Sequence, residues 1–217
     1  PKTRAILGLM RLNFLSVHPR WFFSAVTMQF TICDFGFDDV KEFIEHNCRW
    51  RYKPLLNPVC IESAFLPVRR GSALPSRGYF FHPYFNKNIV MFTTELSDNW
   101  DSLLYSICVS SEKLIGYTSF KISDEPLMYE MYQNYPGSND RVVRLMSDDG
   151  RLDFYQNGAP LNFEKIDMYK NRRKIQRISK DLLFNYAENL GVSIFDNDIY
   201  ITSGVSLEIK EGWSSGS

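Results

Sequence analysis

The chain has 217 residues, 15% of them aromatic, and its 25 basic side chains balance its 25 acidic ones. This length fits one ordinary domain or two small ones and can bury a sizeable core, and the aromatic content excludes a disordered polymer. A net charge of zero offers none of the overall positive excess on which binding to nucleic-acid phosphates depends.

The charge is unevenly placed along the chain. Residues 1–27 hold Lys2, Arg4, Arg11 and Arg20 and no acid, which leaves 21 basic and 25 acidic residues, a net −4, in the rest. The chain opens on Pro1, and Met28-Gln-Phe-Thr-Ile-Cys33 reads as a natural first strand. The expected organisation is therefore a dispensable extension over 1–27, a single domain over 28–213 and a Ser/Gly tail over 214–217. Arg11 and Arg20 break up the apolar residues around Phe14–Val26, against a signal peptide, and no uninterrupted apolar run approaches a membrane span.

After the first strand, Asp34-Phe-Gly-Phe37 is a turn. Asp38 is the expected cap of a helix running to about Cys48, with Val40, Phe43, Ile44 and Asn47 on one side. Trp50–Tyr52 and Val59–Leu66 suggest strands around Pro54 and Pro58, and Pro67–Gly78 reads as an exposed loop. Gly78–His82 and Asn88–Thr94 form a strand pair about the turn Pro83–Lys87. Ser97 is positioned to cap a helix from about Asp98 to Ser111, whose buried face would hold Trp100, Leu103, Leu104, Ile107 and Cys108. Leu114–Ile122 is another strand. Leu127–Tyr135 suits a helix by Met128, Met131 and Tyr132 and a strand by Tyr129 and Tyr135.

Arg141–Met146 and Arg151–Tyr155 form a hairpin about Ser147-Asp148-Asp149-Gly150, whose Asp-Gly pair supplies the positive φ angles of a tight turn. Pro160 ends ladder bonding beyond Asn157-Gly158. Asn162 is an expected cap of a short helix, with Glu164 in its first turn favoured by the helix dipole. Ser179 caps a further helix with Asp181 in its first turn. Leu182, Leu183, Tyr186 and Leu190 define its buried side, and Gly191 ends it in the left-handed conformation. Ile199–Ser203 and Val205–Ile209 flank Gly204 as a strand pair. Strand pairs with single helices between them make an α+β protein with mixed or mainly antiparallel sheet, not the βαβ alternation of a doubly wound fold.

The chemistry-bearing residues are sparse. Cys33, Cys48, Cys60 and Cys108 lie 15, 12 and 48 residues apart with no Cys-x-x-Cys pair, so a zinc site is not expected. Buried thiols in a reducing, cytoplasmic setting are the expected state, although two disulfides can be drawn on paper. His46 sits four residues from Glu42 on a helix, and His82 sits at a strand end, where it can bond the turn backbone. No phosphate loop, nucleophile elbow or zinc-protease motif occurs, and no catalytic, cofactor or metal residue is assigned.

Seven basic residues (Lys165, Lys170, Arg172, Arg173, Lys174, Arg177 and Lys180) fall within sixteen positions. With Phe163, Tyr169 and Phe184 nearby they could form a nucleic-acid surface. A solvated linker partly paired with Glu164 and Asp167 is preferred, because residues 28–217 are net acidic. The densest acidic group, Asp34, Asp38, Asp39, Glu42 and Glu45, surrounds the first helix. It would suit a protein that covers a positively charged surface, and these five residues are the candidate partner-binding positions.

Two resemblances bear on function. Gly158-x-x-Leu161-x-Phe163-Glu164, then Tyr169, Arg172-Arg173, Leu182, Tyr186 and Leu190-Gly191-Val192, span 35 of the 217 residues. They resemble the C-terminal part of bacterial proteins that include immunity proteins of contact-dependent inhibition and other polymorphic toxin systems. The resemblance implies a non-catalytic protein that binds and neutralises a cognate toxin domain; the acidic group above would suit a basic nuclease as that domain, and neither a membrane nor a cofactor is expected. Separately, Arg69-Arg70-Gly71, Tyr117-Thr118-Ser119 and Glu125 follow the order of the Arg, Ser-Thr-Ser and Glu elements of ADP-ribosyltransferases, without a complete Ser-Thr-Ser or a Glu-x-Glu. That order implies the alternative, an enzyme acting on nucleic acid or nucleotide, either ADP-ribosyltransferase-like or nuclease-like.

Overall fold

The computed structural model describes residues 28–47, 50–55, 77–94, 100–111, 113–135, 137, 139–193, 202 and 204–211, and the structural statements below concern these. Nine strands form a single antiparallel sheet: β1 (Met28–Cys33), β2 (Trp50–Leu55), β3 (Arg77–Phe81), β4 (Val90–Thr94), β5 (Tyr117–Asp124), β6 (Leu127–Asn134), β7 (Arg141–Asp148), β8 (Arg151–Asn157) and β9 (Ser206–Glu211). Their spatial order is β2-β9-β3-β4-β1-β5-β6-β7-β8. Three helices accompany it: α1 (Phe37–His46), α2 (Asp101–Ser110) and α3 (Lys180–Asn189). The fold is α+β, as the strand pairs imply.

Alternation along each strand divides the core between the two faces of the sheet. Phe30, Phe81, Met91, Phe120, Met131, Val143 and Leu145 point to one face, where they pack against Leu182, Leu183, Tyr186 and Ala187 of α3. Cys33, Phe80, Val90, Phe92, Tyr117, Leu207 and Ile209 point to the other. There they meet Val40, Phe43 and Ile44 of α1 and Leu103, Leu104, Ile107 and Cys108 of α2. Where both faces are covered, burial is continuous, as through all five residues of β4. In β7 it alternates residue by residue from Arg141 to Met146, the pattern of a strand covered on one side only. The helical layer of α1 and α2 therefore stops short of the β7–β8 end of the sheet.

Local chemistry accounts for several boundaries. In the β7–β8 turn both Asp149 (φ 45°) and Gly150 (φ 76°) take positive φ, which matches the right-handed twist of the flanking strands. Ser179 caps α3 by accepting a hydrogen bond from the Leu182 N–H at 3.2 Å, and Gly191 follows it at φ 84°. Pro54 sits in β2, an edge strand, where a missing N–H is tolerated.

The structure corrects other expectations. The α1 cap is provided by Asp39, whose carboxylate accepts from the Gly36 N–H at 2.9 Å, while Asp38 points outward. The segment that resisted assignment is strand β6, held between β5 and β7 by register pairs along its length. No helix follows Asn162; the linker holds only 3-10 turns at Met168–Lys170 and Lys174–Gln176. The expected pairing of the last two strands also fails, because β9 gives one edge to β2 and the other to β3. Thr202 instead forms an isolated bridge to Pro83. The expectations for 1–27, Val59–Leu66, Pro67–Ser76, Ser97 and the tail fall outside the described residues, as do Cys48 and Cys60.

Candidate partner-binding surface

The five acidic candidates separate into two groups. On α1, Asp38, Glu42 and Glu45 are exposed. Their i, i+4, i+7 spacing aligns them on the side opposite Val40, Phe43 and Ile44. Glu45 also accepts a hydrogen bond from the Tyr52 hydroxyl at 3.0 Å, which extends the stripe toward the β2 edge. Asp38 pairs with Lys41 along the helix at 3.2 Å, whereas the other two, Asp34 and Asp39, meet side chains from distant parts of the chain. Asp39 caps the helix and meets Lys113 at 2.6 Å. Partial burial pushes its carboxyl up, but the Lys113 ammonium and the Gly36 N–H outweigh this and hold it below the usual aspartate range. Asp34 accepts from the Tyr135 hydroxyl.

The basic linker is largely committed to its own domain. Lys170 pairs with Asp167 at 2.9 Å, Lys174 donates to the Leu152 carbonyl at 2.9 Å, and Lys180 lies 3.6 Å from Asp124. Arg177 donates to the Asn171 carbonyl at 2.8 Å and lies over the Phe154 ring. Lys165, Arg172 and Arg173 are exposed. Glu164, expected beside these cations, turns inward to Arg141.

That inward turn explains the punctuated C-terminal segment. Arg141 and Glu164 are 3% and 0% exposed and form a two-pronged pair at 2.9 and 2.5 Å. The Tyr169 hydroxyl donates to Glu164 at 2.9 Å and lies 2.9 Å from the Tyr186 hydroxyl, which accepts from the Lys165 N–H. The Leu161 N–H also donates to Glu164, and Arg141 donates to the Asn157 and Gly158 carbonyls at 3.0 and 3.1 Å. Burial, and the hydroxyl contact with Tyr186, push the Tyr169 phenol well above its ordinary range. Gly158, Leu161, Glu164, Tyr169 and Tyr186 thus build one buried lock between α3 and the β7–β8 hairpin.

The two histidines bond backbone. His46 donates to the Glu42 carbonyl at 2.7 Å, not to its carboxylate, and His82 donates to the Ile89 carbonyl at 2.9 Å. Thr118 and Ser119 are buried in mid-strand, with Ser119 bonded to Thr31 at 3.2 Å. Glu125 is exposed in the β5–β6 turn, six residues further along, roughly 20 Å at the rise of an extended strand. The structure does not bring Ser119 and Glu125 together, and Arg69-Arg70-Gly71 lie outside the described residues.

One concavity was not legible as a site in the sequence. Where α2 begins over the sheet, a cleft of about 480 Å³ is lined by its residues Asp101, Ser102 and Tyr105 and by Tyr117, Lys121, Glu130, Tyr132 and Arg144 of the strands. The strand registers pair Lys121 with Glu130, Glu130 with Arg144 and Arg144 with Tyr155, a single row across four strands. Lys121 lies 3.0 Å from Asp101 and 3.5 Å from Glu130, while Arg144 approaches Glu130 only to 3.6 Å. At the floor, Tyr132 donates to Asp140 at 2.8 Å. Burial, reinforced by that carboxylate, pushes its phenol up to about 12. Burial pushes the Tyr117 phenol higher still. Both therefore remain neutral hydroxyls at physiological pH, and that of Tyr132 is engaged within the chain, since it also accepts from the Asn134 amide at 3.3 Å.

Among the described residues, no group of three or more His, Cys, Asp or Glu side chains could hold a metal ion, and no helix is long and apolar enough to cross a membrane. No family model, curated protein or solved structure matches the chain.

Proposed function

We propose that this protein is a non-catalytic immunity protein that binds and neutralises a cognate bacterial toxin domain in the cytoplasm. The observation that carries the reading is the α1 stripe. Asp38, Glu42 and Glu45 share the solvent side of a helix fixed to the sheet by Val40, Phe43 and Ile44. A rigid row of carboxylates complements a basic surface of the kind a nuclease presents to its substrate, and such complementarity accelerates association. The resemblance of Gly158–Val192 to immunity proteins supports the same reading, through residues that maintain the fold rather than contact a partner. The test is co-expression with the C-terminal domain encoded immediately upstream. Protection of growth and co-purification are expected, and a chain that neither binds nor protects would refute the proposal.

The alternative, an enzyme acting on nucleotide or nucleic acid, has the cleft in its favour, because it places Arg144 beside Glu130. Cleavage or modification of RNA, DNA or NAD by the purified chain, abolished by Glu130→Gln, would move that reading ahead.

A further inference from the structure

We infer that the energetic anchor of the partner interface is not the acidic stripe but the adjoining surface formed by the outer side of α2 and the uncovered face of β6–β8. It is shaped to receive an apolar side chain with a neighbouring carboxylate, carried by a folded domain whose surrounding surface is basic. The inference rests on the binding function proposed above.

Four observations lead to it. First, the solvent side of α2 carries two large apolar side chains among its serines. Tyr105 and Val109, one turn apart, are 50% and 55% exposed, where a surface helix ordinarily places polar residues. Second, the apolar cluster under α1 and α2 contains no residue of β7 or β8. Val142, Arg144 and Met146 remain half-buried and Tyr155 is 45% exposed on the sheet face toward that layer. The step down from α2 to these strands is the cleft, at which Tyr105, Tyr132 and Arg144 meet.

Third, Arg144 is held ready without being used. It is 38% exposed and lies 5.7 Å over the Tyr155 ring, and among the described residues its one ion-pair contact is the 3.6 Å approach to Glu130. An arginine offers five N–H donors in a planar fork, and a carboxylate is its natural two-pronged acceptor. Lys121, by contrast, is already answered by Asp101 and Glu130. Tyr, Arg and Met are also the side chains that concentrate at the centres of protein interfaces.

Fourth, α1 and α2 pack against each other on the same sheet face, so the row of Asp38, Glu42 and Glu45 lies on one side of α2 and the β6–β8 face on the other. A stable complex buries roughly 800 Å² on each partner, far more than three carboxylates on one helix can cover. The stripe therefore supplies the charged rim, which selects a basic partner, and the aromatic–arginine surface supplies the centre.

The test uses the purified full chain and the C-terminal domain encoded immediately upstream, with association and dissociation rates measured separately. Tyr105→Ala and Arg144→Ala should each weaken binding at least tenfold, mainly through faster dissociation, while the thermal melt stays unchanged. Tyr105→Phe should retain binding, and Arg144→Lys should not, because lysine lacks the fork. If the wild-type chain binds and both alanine variants remain within twofold of it, the anchor is elsewhere and the immunity reading survives. If the wild-type chain does not bind, the immunity reading falls and this inference falls with it.

Discussion

Arg141 and Glu164 form a buried charge pair, and their value lies in mutual satisfaction. Removing one partner leaves the other buried and unanswered, so Arg141→Met should cost about 3–5 kcal/mol in urea unfolding. Adding Glu164→Leu to that variant should recover part of the loss, since two apolar residues leave no stranded charge. A double variant less stable than the single one would show that the pair is not acting as a unit. The cysteines allow a second test. Burial, with Asp34 nearby, pushes the Cys108 thiol up to about 12, and burial raises Cys33 well above its ordinary range. Thiolate is the reactive form, so both should resist iodoacetamide at pH 8 in the native protein and react on unfolding, as read by peptide mass mapping. Native labelling of either would place its sulfur outside the core.

At the scale of elements, two glycines with nearly the same φ meet different surroundings. Gly191 ends α3 at φ 84°, and an added Cβ would meet only the ends of side chains, Ile89 at 2.9 Å and Asn86 at 3.4 Å. Gly158 ends β8 at φ 81°, but there a Cβ would lie 2.2 Å from the Asp140 carbonyl oxygen, which the backbone holds in place. Gly191→Ala should therefore cost about 1–2 kcal/mol, the price of left-handed backbone alone. Gly158→Ala should exceed it by displacing the hairpin that carries Arg141. Equal losses for the two, measured by chemical denaturation, would mean that the close approach at Gly158 relaxes freely. The α3 core side offers a control: Leu183→Ala should cost about 2–5 kcal/mol, as a fully buried leucine does when truncated.

For the whole molecule the decisive quantity is the field of the α1 stripe. Reversing Asp38, Glu42 and Glu45 to Lys should slow association with a basic partner domain and weaken its dependence on salt, while keeping the fold, since all three side chains are exposed and only the Asp38–Lys41 and Glu45–Tyr52 contacts are lost. Asp39 is excluded from that set because it caps α1 and binds Lys113. An association rate unmoved at low salt would remove the stripe from the interface.

Periodicity and turn chemistry are local properties, and they were enough to mark most of the elements. Asp149-Gly150 can relax into positive φ whatever surrounds it, and Ser179 and Gly191 punctuate α3 by their own backbone preferences, so the hairpin and the helix are legible in the chain. The acidic stripe is legible for the same reason, since i, i+4, i+7 spacing is a property of any helix. That Asp34 and Asp39 bond residues far along the chain was not, because Tyr135 and Lys113 arrive from distant positions. The cleft lies between these cases. The turns at Glu125-Pro126 and Asp149-Gly150, with the reversal centred on Gly137, set the registers that align Lys121, Glu130, Arg144 and Tyr155. Composition and alternation alone determined an α+β protein with an acidic first helix and a well-capped last one. Which strands flank β9, which glutamate meets Arg141 and where the helical layer ends were decided only in the tertiary structure, because each depends on contacts between residues far apart in the chain, and no local preference encodes them.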